Sequence, residues 1–129
     1  MRVEGHHRGW DAHDEAGLEQ VLRFRDAVGG ALFWLVHDDH RHPSMAIRIS
    51  GNLADVHYFP DEGHPGFRAL AEPAALGART TTFIYEGCDP ATGEETPSQF
   101  VVPVSKAIDV AKDFHRTGAR SSAVSWFEL

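Results

Sequence analysis

A chain of 129 residues with 19 acidic and 12 basic side chains carries a formal net charge of −7, a balance that repels phosphate backbones and argues against nucleic-acid binding. Its length suits one domain with one core, and an apolar share of 42% is too high for a disordered tail. Cys88 is the only cysteine, so an intrachain disulfide is excluded.

The opening stretch, Met1 to Trp10, is polar, with His6, His7 and Arg8 and no apolar run of the kind a secretory signal needs. Ala31 to Val36, the longest apolar run, is far too short to span a bilayer. A cytoplasmic location with no membrane partner is therefore expected. Asp11 and Asp14 can each cap a helix, along which Leu18, Val21, Leu22 and Val28 recur at helical spacing until Gly29-Gly30 stops it. Ala31 to His37 is apolar on both faces and reads as a buried central strand.

A polar turn, Asp38 to Ser44, leads to Met45–Ser50, where Met45, Ile47 and Ile49 alternate with smaller or polar residues. Ser50-Gly51-Asn52 is a turn signal, and Leu53 to Phe59 reads as the returning strand of a hairpin. Pro60 to Arg79 is too long for a passive connector and predicts a helical turn around Phe67–Leu70. Thr80 to Glu86 reads as a fourth strand, Gly87 to Pro97 as a loop, and Phe100 to Val102 as a fifth strand. Ser105 caps a second helix with Ala107, Ile108, Ala111 and Phe114 inside and Gly118 as its stop. Ala123 to Leu129 closes the chain as a sixth strand. The expected fold is α+β: one antiparallel or mixed sheet of about six strands with two helices packed on it.

The nine histidines are conspicuous. His37, His40 and His42, beside Asp38 and Asp39, have the side chains of a zinc site, but their spacing matches no short zinc signature. The plain reading is a solvated turn, and no metal and no cofactor are expected. The alternative keeps the cluster as the centre of a small histidine- or metal-dependent enzyme. His64 sits in Gly63-His64-Pro65-Gly66, a turn that could present an acid or base and more simply fixes the path of the chain. Cys88 lies among acidic neighbours, Glu86 and Asp89, which disfavour a thiolate nucleophile. With no phosphate loop, HExxH or GxSxG present, no catalytic residues are assigned.

The last third of the chain forms a pattern. Phe100-Val-Val-Pro-Val precedes a helix with the stripe Ala111-Lys-Asp-Phe114; His115-Arg-Thr-Gly-Ala-Arg120 follows, and Ser125-Trp-Phe-Glu-Leu129 ends it. Together with Asp55-Val-His-Tyr-Phe59 and Gly63-His-Pro-Gly-Phe67, it resembles the first-numbered immunity-protein family of bacterial polymorphic toxin systems, the group paired with nucleic-acid deaminase toxins. The resemblance implies a non-catalytic antitoxin that binds a cognate toxin domain and blocks its active site. The residues expected to meet that partner are Asp38, Asp39, Asp61 and Glu62 as charged rim, with Tyr58, Phe59 and Phe67 as aromatic anchors. Trp126 is expected to pack in the core, with Glu128 accepting a bond from its indole or a nearby cation. Oligomeric state is left open.

Overall fold

The computed structural model describes residues 1–37, 41–72, 79–88 and 93–129. In chain order it contains β1 (Arg2–Glu4), β2 (Gly9–Asp11), α1 (Glu15–Leu22), β3 (Gly30–Val36), β4 (Ser44–Ser50), β5 (Leu53–Phe59), β6 (Phe67–Leu70), β7 (Thr80–Phe83), β8 (Glu94–Pro97), β9 (Val102–Pro103), α2 (Val104–Thr117) and β10 (Ser125–Glu128). The main sheet runs β10-β6-β5-β4-β3-β1-β2, with β9 added beside β5, and β7 and β8 form a separate two-stranded ribbon. All these strand pairs are antiparallel. This is the α+β architecture expected, with more than six strands. Among the described residues, no helix is long and apolar enough to cross a membrane.

Register explains what each face of the sheet does. Ala31, Phe33 and Leu35 pair with Ile49, Ile47 and Met45, which pair in turn with Ala54, Val56 and Tyr58. Side chains alternate along a strand, so these rows share one face. They join Leu18 and Leu22 of α1 and Val104, Ala107, Ile108, Ala111 and Phe114 of α2 in the core. Phe114 is fully buried, and Tyr58 meets its ring edge-on at 6.0 Å. Gly118 ends α2 in the left-handed conformation (φ 70°), where its N–H donates to the Phe114 carbonyl.

The opposite rows, Leu32–Arg48–Asp55 and Trp34–Ala46–His57–Arg68, form the second face. The β7–β8 ribbon covers part of it. Arg48 bonds Asp55 (Nε to Oδ2, 2.9 Å), Thr96 (3.1 Å) and Glu94, while Arg68 bonds Asp55 from the other side at 3.0 Å. Asp55 is 2% exposed. Buried carboxylates need such partners, and here two guanidinium groups supply them.

Several local expectations are corrected. Phe67–Leu70 is a strand between β5 and β10, because Phe67 opposite Tyr58 and Arg68 opposite His57 gain ladder bonds that a lone helical turn lacks. Glu94–Pro97, read as loop, pairs with β7; its Thr96 is buried against Arg48. Residues 98–100 form a short 3-10 turn, so the fifth strand shrinks to Val102–Pro103. Pro103, not Ser105, occupies the N-cap of α2, and no side chain bonds there. The first helix is capped by Asp14, whose Oδ1 accepts from the Gly17 N–H at 2.7 Å, and it ends at Leu22; Val28 is 55% exposed beyond it. The N-terminal β1–β2 hairpin was not expected at all. Finally, β3 is central but not buried on both faces, since Trp34 is 41% exposed.

Candidate protein-binding site

Val36 pairs with Ser44, Ser44 with Phe59, and Tyr58 with Phe67. The end of β3, the start of β4 and the 60–66 connector therefore lie at the same end of the sheet. The sheet edges are β2 and β10. Asp38 and Asp39 lie outside the described residues, as does His40. Asp61 and Glu62 are exposed in the 60–66 connector.

Tyr58, Asp61 and Phe67 come together. With Pro60, His64, Arg120 and Trp126 they line an open groove of about 610 Å³ between the 60–66 connector and the segment after α2. Tyr58 is 7% exposed and its hydroxyl donates to the Gly118 carbonyl at 3.3 Å. Burial raises its pKa, so the phenol stays neutral. Phe67 is sandwiched: the His64 ring stacks on it at 5.2 Å, and the Arg120 guanidinium lies 3.8 Å from its centroid. The indole Nε1–H of Trp126 donates to the Ser121 carbonyl at 2.8 Å, and Glu128 instead receives the His64 Nε2–H at 3.1 Å. His64 Nδ1 accepts from the Gly66 N–H at 2.8 Å, which fixes the ring as the Nε2–H tautomer. Gly66 adopts φ 98°, and a Cβ there would sit 2.7 Å from the Tyr58 carbonyl oxygen. Only glycine closes this turn without strain.

Phe59 is separated from this group by strand alternation. It faces the other side of the sheet, stacked between Trp34 at 5.6 Å and His57 at 4.2 Å. His57 Nε2–H donates to the Pro65 carbonyl at 2.9 Å, so the 60–66 connector is anchored on both faces. Burial lowers the His57 pKa, against the bond to the Pro65 carbonyl and the Asp55 charge, which raise it, so the neutral ring predominates at pH 7.

No protein-family model matches this chain, and no curated protein matches it. Among the described residues, no three His, Cys, Asp or Glu side chains gather as a metal-holding group. His37, half of whose ligand capacity a zinc site would use, donates its Nε2–H to the Phe114 carbonyl at 2.8 Å and so caps the last turn of α2. Cys88 Sγ–H donates to the Tyr85 carbonyl at 2.9 Å inside a tight turn.

Residues missed at the level of sequence are Trp34, His57 and Arg120. Trp34 had a signal: Leu32, Trp34 and Val36 alternate with Phe33 and Leu35, and Trp on the second set of a strand hints at a covered or recognised face. Nothing in the sequence says which set faces the helices. Arg120 was legible only as part of a basic turn.

Proposed function

We propose that this chain is a cytosolic antitoxin that binds a cognate toxin domain, one acting on nucleic acid, and blocks its active site. The observation that carries the reading is the 60–66 connector. It holds two exposed carboxylates, Asp61 and Glu62, between two aromatic groups: Tyr58–Phe67–Trp126 on the helix side and Trp34–Phe59–His57 on the other. A charged rim beside desolvated aromatic anchors is the make-up of a protein interface, and an anionic rim suits a cleft built to hold phosphates. The C-terminal W-x-E-L pattern supports the same reading, because Trp126 and Glu128 fix the wall of this groove.

The test is protection. A candidate cognate toxin domain of the nucleic-acid-deaminase class is co-expressed with the chain, and cell survival and complex formation are measured. The wild type should protect and co-purify in a stable complex. Asp61→Ala with Glu62→Ala should weaken protection while the melting temperature stays nearly unchanged, since surface substitutions away from packed features cost less than about 0.5 kcal/mol. Full protection by that double variant would remove the connector from the interface.

A further inference from the structure

The second face of the sheet carries a cavity that the groove does not use. Leu32, Trp34, Ala46, His57, Phe59 and Tyr85 form its walls around about 240 Å³, and Arg48, Asp55 and Glu94 supply its charge. The charges are not equivalent. Asp55 is spent between Arg48 and Arg68, and Arg48 is spent on Asp55, Thr96 and Glu94. The Glu94 side chain is 44% exposed, against 20% for Arg48 and 3% for Asp55. Glu94 is itself paired with Arg48 and hydrogen-bonded with Tyr85, but it is the most exposed of the three charges, and a carboxylate can take a second guanidinium as Asp55 does from Arg48 and Arg68. Tyr85 is 5% exposed and its pKa is pushed up to about 12, first by burial and then by Glu94, so it adds a neutral ring. Trp34 and Phe59 stack near-parallel (24°), and the Trp34 indole remains 41% exposed.

Aromatic walls over a carboxylate recognise a cationic side chain: the ring quadrupole attracts the cation, the carboxylate pairs with it, and a planar guanidinium stacks where an ammonium cannot. We infer that this pocket is the docking site for an arginine side chain projected by a basic protein partner. The net charge of −7 attracts a partner of the opposite sign. This rests on the antitoxin reading for the partner's identity but not for the pocket's chemistry, so the two can fail separately.

The probe is a capped Gly-Arg-Gly peptide, followed by amide and indole NMR shifts at millimolar concentration, with the Gly-citrulline-Gly peptide as the uncharged isostere. The arginine peptide should give saturable shifts at the Trp34 indole and at Phe59, Tyr85 and Glu94, and the citrulline peptide should not. Trp34→Ala should weaken binding about tenfold and Glu94→Gln about threefold, with far-UV circular dichroism unchanged for Trp34→Ala. Equal shifts from both peptides, shifts centred elsewhere, or none that saturate would overturn the pocket assignment. In the toxin assay, protection that survives Trp34→Ala would overturn its use at the interface while leaving the antitoxin reading standing. A chain that binds the arginine peptide but no toxin would sink the antitoxin reading and keep the pocket.

Discussion

Two histidines show how one residue type takes opposite tasks a few residues apart. His64 is held by its partners: Gly66 donates to Nδ1, and Nε2–H donates to Glu128. His57 is half-buried, stacked on Phe59 with its Nε2–H on the Pro65 carbonyl. Burial is the first cause of its lowered pKa. Below the unfolded value of 6.5 the unfolded chain binds this proton more readily than the native one does. The His57 contribution to stability is therefore complete above that value and declines as pH falls through it toward the lower native value. Urea midpoints measured from about pH 7 to about pH 5 should fall. His57→Gln should flatten that part of the slope, and an unchanged slope would assign the titration to other groups. The sequence placed His57 on the correct strand but gave no hint of its burial, because that depends on the Pro65 connector folding back over the second face.

The elements that were legible are those whose pattern is carried by packing against one face. The stripe Ala107–Ile108–Ala111–Phe114 and its Gly118 stop fell where expected, as did the β4–β5 hairpin around Gly51. Elements that depend on distant partners were not legible. Phe67–Leu70 has no alternation to speak of and becomes a strand only because β5 and β10 flank it. Glu94–Pro97 is polar throughout and is fixed by Arg48, far away in sequence. The same reason hid half of the site: Tyr58 and Phe59 are neighbours in the chain, and period-two alternation sends them to opposite faces. The Arg48–Asp55–Arg68 cluster ties β4, β5 and β6 together and joins them through Glu94 to β8. Asp55→Ala should leave two mostly buried guanidinium groups short of their shared carboxylate and destabilise by about 3–5 kcal/mol, read from urea unfolding. A loss below about 1 kcal/mol would mean that water or Glu94 replaces Asp55 at little cost.

At the scale of the whole molecule, the charge and the aromatic anchors should act on different steps of binding. A charge of −7 acts at a distance, before contact, and is screened within about 8 Å at physiological salt. It can raise the association rate with a cationic cleft by ~10–10³-fold at low ionic strength. Phe67, Trp34 and Phe59, which keep exposed surface, act only after contact, where excluded water makes their removal costly and salt matters little. Stopped-flow association with the toxin domain should therefore slow steeply as salt rises, while the dissociation rate changes little. Asp61→Ala with Glu62→Ala should flatten the salt dependence of association, and Trp34→Ala should chiefly speed dissociation. A salt-independent association rate, or a complex that still admits nucleic acid to the toxin, would refute active-site blocking by an acidic surface. The charge would then be explained by solubility alone, which a net charge of this size also serves.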